Sequence, residues 1–378
     1  MRTVPVGEFM VSRGGSVNPS IFPEEEFELY SIPAHDRGGP EIVLGSKIGS
    51  AKQIVQPGDV MVSKIIPHIR RSRIVRPREG RRQIASGEWI VFRSGSLYPN
   101  YLRHLLLSDL FHRQFMNTVA GVGGSLVRAR PEQVKSIAIP IPPLEEQRRI
   151  AAILDQADAL RAERRQNLAR LDALARAIFH ESFGSEQGVL RTLGEVATFV
   201  GGASLPGGLP FADQTHGTLL LKVSDMNAPG NEAKIKTTAL WTGSVTERSA
   251  IVGAGAVVIP KRGASIATNK KRITTRRTAL DPNLMGIQPN SDVVTSQYLY
   301  EWFRSFDLST ITSGSTVPQL NKQDLVPIRI NVPAISQQIE FGQRQLKLDT
   351  TRATVRRALA VNEELFASVQ SRAFRGEL

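Results

Sequence analysis

The sequence has no cysteine among its 378 residues, which removes disulfides and thiolate zinc sites. Its six histidines are scattered, with no His-Glu-x-x-His pair to hold a metal. No glycine-rich loop ends in Gly-Lys-Ser/Thr, and Gly253-Ala254-Gly255 lacks the third glycine and the following helix of a dinucleotide site. Among the carboxylates of the globular parts, Asp59, Glu79, Asp225 and Asp281 show no paired spacing that would support acid–base or two-metal hydrolysis. No catalytic, cofactor-binding or metal-binding residue is assigned on these grounds, and the chain is expected not to be an enzyme. No run of eighteen apolar residues exists and the segment MRTVPVGEFMVSRGG has no hydrophobic signal core. The expectation is a cytoplasmic protein that neither spans nor binds a membrane.

A different absence organises the chain. Leu144 to Phe183 contains neither Gly nor Pro, and the spacing predicts one helix, preceded by Pro140, Pro142 and Pro143 and ended at Gly184. At 1.5 Å per residue it would be roughly 60 Å long. Ile153, Ala157, Leu160, Leu171, Leu174 and Ile178 form a heptad-spaced stripe, with Arg164 and Asn167 at its middle positions, and such a stripe needs a partner helix. The partner lies in the same sequence: an offset of 191 lays Pro142 on Pro333, Leu144 on Ile335, Gln147 on Gln338, Leu174 on Leu365 and Phe183 on Phe374. GVGGSLVRARPEQVKSIAIPIP (Gly121 to Pro142) matches ITSGSTVPQLNKQDLVPIRINVP (Ile311 to Pro333) at nearly the same offset. At offset 197, IVQPGDVMVSK (Ile54 to Lys64) matches IVGAGAVVIPK (Ile251 to Lys261), and Tyr101-Leu102 matches Tyr298-Leu299. The chain is therefore a duplication of globular domain plus helix, not a solenoid of short repeats.

The net charge of +13 is informative once located, because the two helices supply only +2 and leave +11 to the globular parts. Lys64 to Arg82 holds eight Lys/Arg and one acid, Glu79, and Lys261 to Arg277 holds seven Lys/Arg and no acid. The clusters follow matching strands, so their recurrence argues for a polyanion ligand over two solvated faces. Pro67, Pro77, Gly80 and Gly263 interrupt them, which excludes amphipathic membrane-surface helices.

Within the domains, Ile54-Val55 and Val60-Met61-Val62 flank Pro57-Gly58-Asp59 and predict a hairpin. Trp89 to Phe92 predicts a buried strand, Asn100 to Phe115 a helix, and Ile137 to Ile141 a strand leading into the long helix. The second domain repeats this with strands at Leu219 to Val223 and Ala256 to Ile259 and a helix from Ser296 to Phe306. Each domain is mixed α and β.

These residues resemble the specificity subunit of type I restriction-modification systems. The resemblance rests on IPIPPLEEQRRIAAIL after the first domain, SGSTVPQLNKQDLVPIRINVP after the second, the terminal LFASVQSRAFRGEL and GDVMVSKIIPHIRR in the first domain. Two departures are GGSLVRAR at Gly123 to Arg130, which keeps little of the GSTVPQLN form, and Ala254-Gly255-Ala256 in place of Pro-Gly-Asp. The resemblance implies an α+β chain of two target-recognition domains in tandem repeat, each reading half of a bipartite DNA sequence in phage defence. They would be separated by two long antiparallel coiled-coil helices with pseudo-twofold symmetry. It also implies two methyltransferase (modification) subunits and two motor-nuclease (restriction) subunits as partners, with S-adenosylmethionine, ATP and magnesium belonging to those partners and no cofactor in this chain.

The expected boundaries are 1–143 for the first recognition domain, 144–184 for the central helix, 185–334 for the second domain and 335–378 for the C-terminal helix. The candidate DNA contacts are Lys64, His68, Arg70, Arg71, Arg73 and Arg76 in the first domain. In the second they are Lys261, Arg262, Asn269, Lys270, Lys271, Arg272, Arg276, Arg277, Gln319, Asn321 and Lys322. The competing reading is a non-catalytic coiled-coil adaptor that binds proteins, which the located charge disfavours.

Overall fold

The computed structural model describes residues 2–12, 14–120, 127–184, 188–244, 250–311 and 318–378. The chain divides into two compact units, one of residues 1–166 and 356–378, the other of residues 167–355. Each contains one globular body and stretches of both long helices.

In the first unit a five-stranded sheet has the order Ser16–Val17, Lys52–Ile54, Arg82–Ala85, Glu26–Tyr30, Glu41–Leu44, with Glu26–Tyr30 parallel to Arg82–Ala85. A three-stranded sheet places Val60–Ser63 between Ser72–Ile74 and Trp89–Phe92. The hairpin expected around Pro57-Gly58-Asp59 does not form, because Lys52–Ile54 pairs with Arg82–Ala85 while Val60–Ser63 pairs in the other sheet. The turn is instead a junction between sheets, held by the buried Asp59 carboxylate, which accepts from Gln56 N at 2.8 Å and from Arg93 at 2.6 and 2.7 Å. The helix expected over Asn100 to Phe115 is two, Pro99–Leu107 and Asp109–Met116. Ser108 adopts an extended conformation between them, and its hydroxyl caps the second by accepting from Phe111 N at 3.3 Å.

The second unit is built on the same plan with a larger insertion. Its first five-stranded sheet has the order Ala197–Gly201, Leu284–Pro289, Val257–Pro260, Arg272–Thr274, Lys234–Ile235. A second sheet of Leu209–Pro210, Leu240–Thr242, Thr218–Leu221, Thr278–Leu280 and Ile251–Val252 packs apolar residues such as Leu219, Leu221, Val252 and Leu280. The helix Ser296–Ser305 covers the first sheet with Tyr298, Leu299 and Phe303.

The long helices run Leu144–Phe183 and Ile335–Arg375. Each enters its unit through the same clamp. Gln147 donates to Pro142 O and Ser96 O and accepts from Tyr98 N; Gln338 donates to Pro333 O and Val293 O and accepts from Thr295 N. Both glutamines are buried, so all these bonds replace lost hydration. Within each unit the helices are antiparallel. In the first, Arg165 pairs with Glu363 at 2.8 Å and Arg161 lies 4.1 Å over the Phe366 ring; in the second, Arg352 donates to Leu171 O and Phe341 stacks edge-on with Phe179 and Phe183.

The stripe departs from the sequence expectation. Leu160 and Leu174 are exposed, and the buried line runs instead through Gln147, Ile150, Ala151, Leu154 and Ala175. The body of the domain decides this: Ile150, Ala151 and Leu154 join the core with Tyr101, Leu105 and Ile139, which shifts the inward face away from the heptad seam.

Candidate nucleic-acid interface

In both units the chain leaves a central strand, turns outward through the basic loop and is stitched to the segment that follows the glycine loop. In the second unit Lys261 N donates to Asn283 O at 2.8 Å, Lys261 O accepts from Leu320 N at 2.9 Å, and Gly263 N donates to Pro318 O at 2.9 Å. Arg262 and Gln319 face each other in an antiparallel bridge. The first unit repeats every bond: Lys64 N to Glu88 O at 2.9 Å, Ala129 N to Lys64 O at 2.8 Å, Ile66 N to Val127 O at 3.0 Å, and an Ile65–Arg128 bridge. The turn requires a left-handed residue after the bridge. Gly263 takes φ +70° at no steric cost, whereas Ile66 at φ 49° is a β-branched residue held there by the junction. The glycine loops themselves, 121–126 and 312–317, lie outside the described residues.

This junction brings together Lys261, Arg262, Gln319, Asn321 and Lys322, separated by more than fifty positions in the sequence. Gln319 donates to Asn321 Oδ1 at 2.8 Å, and Asn321 N donates to Asp324 at 2.7 Å, so both amide side chains are fixed before any ligand arrives. Arg262 and Lys322 are exposed. Burial holds the Lys261 ammonium below its usual range.

Three candidates of this cluster turn inward. Lys271 is buried and donates to Asn269 Oδ1 and Phe306 O, both at 2.6 Å; burial pushes its pKa down to about 8. Asn269, in the left-handed region at φ 50°, also accepts from Leu308 N at 3.0 Å and ties the loop to that segment. Arg272 donates to Met226 O and Lys271 O. Of the rest, Lys270 bonds Asn227, Arg276 bonds Gln214 O and lies 5.3 Å over the Phe211 ring, and Arg277 is exposed. Among the described residues none of the seven Lys/Arg of Lys261 to Arg277 pairs with a carboxylate: their partners are neutral oxygens, and the cluster keeps its charge.

The first cluster does not. Arg70, Arg71, Arg76, Arg81 and Arg82 pair with Asp109, Asp36, Glu28, Glu26 and Glu25 at 2.5 to 2.8 Å. Arg71 is buried against Asp36, whose carboxyl the guanidinium holds below the usual range. Arg73 donates to His35 Nδ1 and Gly38 O. Lys64, His68 and Arg78 make no ion pair with described residues. The neutralising acids come from strands and helices distant in sequence, which is why counting charge along the chain missed them. The 191-residue offset contained a further signal: Gln319 and Asn321 correspond to Arg128 and Arg130, two cations absent from the sequence-derived candidates. Arg128 pairs with Glu88 at 3.1 Å, and Arg130 is exposed.

Among the described residues no cluster of His, Asp and Glu could hold a metal, and no helix is long and apolar enough to cross a membrane. Two mixed α/β bodies with matching basic junctions, each packed on antiparallel stretches of the same two helices, define a class, and residues 81–171 match the family model of the type I restriction modification DNA specificity domain. A solved chain from a study of complex assembly and conformational transition of the type I R-M system is 21% identical, with coverage of 100% of this chain and 98% of that one and a TM-score of 0.57. The type I restriction-modification S subunit from M. genitalium is 14% identical, with coverage of 99% and 96% and a TM-score of 0.53. No curated protein matches the sequence. Residues 81–171 are thus similar to a type I restriction modification DNA specificity domain, and over its whole length the chain shares the fold of these two solved chains.

Proposed function

We propose that each unit reads one half of a bipartite, gapped duplex DNA target through the face around its junction. The observation that carries this reading is the set of backbone bonds repeated in both units, which joins a basic loop to the flank of a glycine loop. Exposed Arg262, Arg277, Lys322 and Arg130, with the half-buried Lys64, contact phosphates, and the oriented amides of Gln319 and Asn321 supply base-edge donors and acceptors in the second unit. Asn269, Lys271, Arg272 and Arg71 support the loops from within.

The long helices set the unread gap and dock two methyltransferase subunits. Their exposed apolar residues support docking: Leu160 and Leu174 are two heptads apart on one helix, and Ile339 and Leu346 one heptad apart on the other. S-adenosylmethionine, ATP and magnesium would act in the methyltransferase and motor-nuclease subunits, all in the cytoplasm, while this chain itself turns over no substrate.

Reconstitution with methyltransferase subunits, followed by methylation mapping, tests the proposal. The expected result is two short half-sites separated by an unread gap, and exchange of residues 185–333 for a relative's domain should change one half-site alone. A continuous target, or a change in both halves, overturns it.

A further inference from the structure

Beyond the junction of the first unit the chain makes a tight turn in which Ile69 N donates to Ile66 O at 3.0 Å. The side chain of Ile69 at this turn is 44% exposed. At the 197-residue offset the equivalent residue is Ile266, three positions after Gly263 as Ile69 is three after Ile66. Ile266 is 1% exposed and belongs to the core of the second unit with Leu308 and Phe303. The repeat thus places the same side chain at the same position twice, and only the first unit leaves it in water.

An exposed apolar residue is common on protein surfaces and by itself assigns nothing. Here the turn that presents it is braced on both sides. Ile66 N donates to Val127 O at 3.0 Å before the turn, and after it Arg70 donates to Leu107 O at 3.0 Å and to Asp109 at 2.5 Å. The turn also holds a β-branched residue, Ile66, at φ 49° where the second unit uses glycine. Backbone strain of this kind persists where the surrounding structure enforces it, and it concentrates where ligands bind. The third observation is the chemistry beside the turn. Exposed His68 precedes Ile69, and half-buried Lys64 and exposed Arg130 flank the same junction. An apolar cap among cations is the arrangement expected of a base contact bordered by phosphate contacts.

The degree of exposure selects the kind of contact. More than half of Ile69 is already covered by the protein, so too little of it protrudes to wedge between stacked base pairs. A shallow apolar cap instead fits a group that itself projects into the major groove, and the methyl group displayed there is that of thymine C5. We propose that Ile69 reads a thymine in the half-site of the first unit by packing against its C5-methyl group. This rests on the junction being the DNA-contacting face and adds to that reading a named base and the residue that recognises it.

The test uses the complex reconstituted with methyltransferase subunits. Methylation mapping defines the half-sites, and exchange of residues 185–333 identifies the one read by the first unit. Each thymine of that half-site, on either strand, is then replaced by deoxyuridine, which removes the methyl group and keeps the hydrogen-bonding edge. At one position the parent should bind about fourfold more weakly, as expected for one apolar carbon no longer removed from water. Ile69→Ala should bind the thymine and uracil duplexes equally, at about the affinity of the parent for the uracil duplex. Its slope of log affinity against log salt should match that of the parent, since no phosphate contact is lost. The substitution is at an exposed position, so the fold is kept.

A first half-site without thymine, no uracil-sensitive position, or a uracil penalty that survives in Ile69→Ala overturns the proposal. Equal loss on both duplexes, with the bend of the parent's DNA relaxed in Ile69→Ala, overturns it in favour of a wedge. A continuous target in the mapping step overturns the bipartite reading instead, so the two failures are distinguishable.

Discussion

The two basic loops occupy equivalent places in the duplicated chain and carry similar formal charge, yet they differ in what surrounds them. Five of the eight Lys/Arg of the first loop are paired with carboxylates, and none of the seven in the second is paired with a described carboxylate. The first loop is thus an ion-pair framework that ties Ser72–Ile74 and Arg82–Ala85 to their neighbours. The second is a cationic surface supported by carbonyl and amide oxygens. Formal charge counted along a sequence says nothing about field until its counter-charges are located in space, and long-range phosphate attraction in this molecule should come mainly from the second unit.

The supports differ in their response to pH, and this gives the largest expected effect. Lys271 is held at about 8 against an ordinary 10.5 because burial desolvates its ammonium, whose hydrogen-bond partners are neutral oxygens. Between those values the unfolded chain keeps a proton that the folded second unit has released, so raising the pH through this window stabilises the fold. Below about 8 both states are charged and the cost of burying the ammonium persists. Hydrogen exchange at Arg272–Thr274 should slow from pH 8 to 10 after correction for intrinsic rates, and Lys271→Met should abolish the trend. A flat profile in the parent would mean that the ammonium is solvated.

In the first unit the same question is answered by removing a cation. Arg76→Ala leaves the Glu28 carboxylate, 2% exposed, without its guanidinium and should destabilise the first unit by about 2 kcal/mol, less than a fully buried pair because Arg76 is half solvated. Arg262→Ala should change stability by less than about 0.5 kcal/mol, as expected of an exposed side chain. Denaturant unfolding followed at each unit compares the two.

A smaller effect concerns the turn that both loops share. Ile66→Gly should stabilise the first unit or leave it unchanged, since about 1 kcal/mol of left-handed strain offsets the lost packing, and Gly263→Ala should cost the second unit about 1 kcal/mol. Effects of equal sign at the two sites would mean that the junctions are not equivalent.

The duplication, the long helix to its last residue and the strands Trp89–Phe92 and Ala138–Ile141 were legible because their signals are local or recur within the chain. The break at Ser108 was not, because Asn100 to Phe115 keeps helical periodicity through it. The exposure of Leu160 and Leu174 was hidden for a different reason: the heptad pattern marks a seam, whereas the domain body selects the neighbouring face. At the candidate site the loops were found and their inward members were not. Whether Arg71 meets Asp36 or a phosphate depends on a strand order that a sequence does not state.

The central claim, that the second loop attracts phosphate while the first is largely neutralised, is tested most directly by the salt dependence of duplex binding in two matched variants. Arg262→Ala/Arg277→Ala should flatten the slope of log affinity against log salt by nearly two, at about 0.9 for each phosphate no longer neutralised. Arg81→Ala/Arg82→Ala, which removes the same charge from ion pairs, should leave the slope within about half a unit. Equal flattening by both variants, or an unchanged slope in the first, would contradict the account.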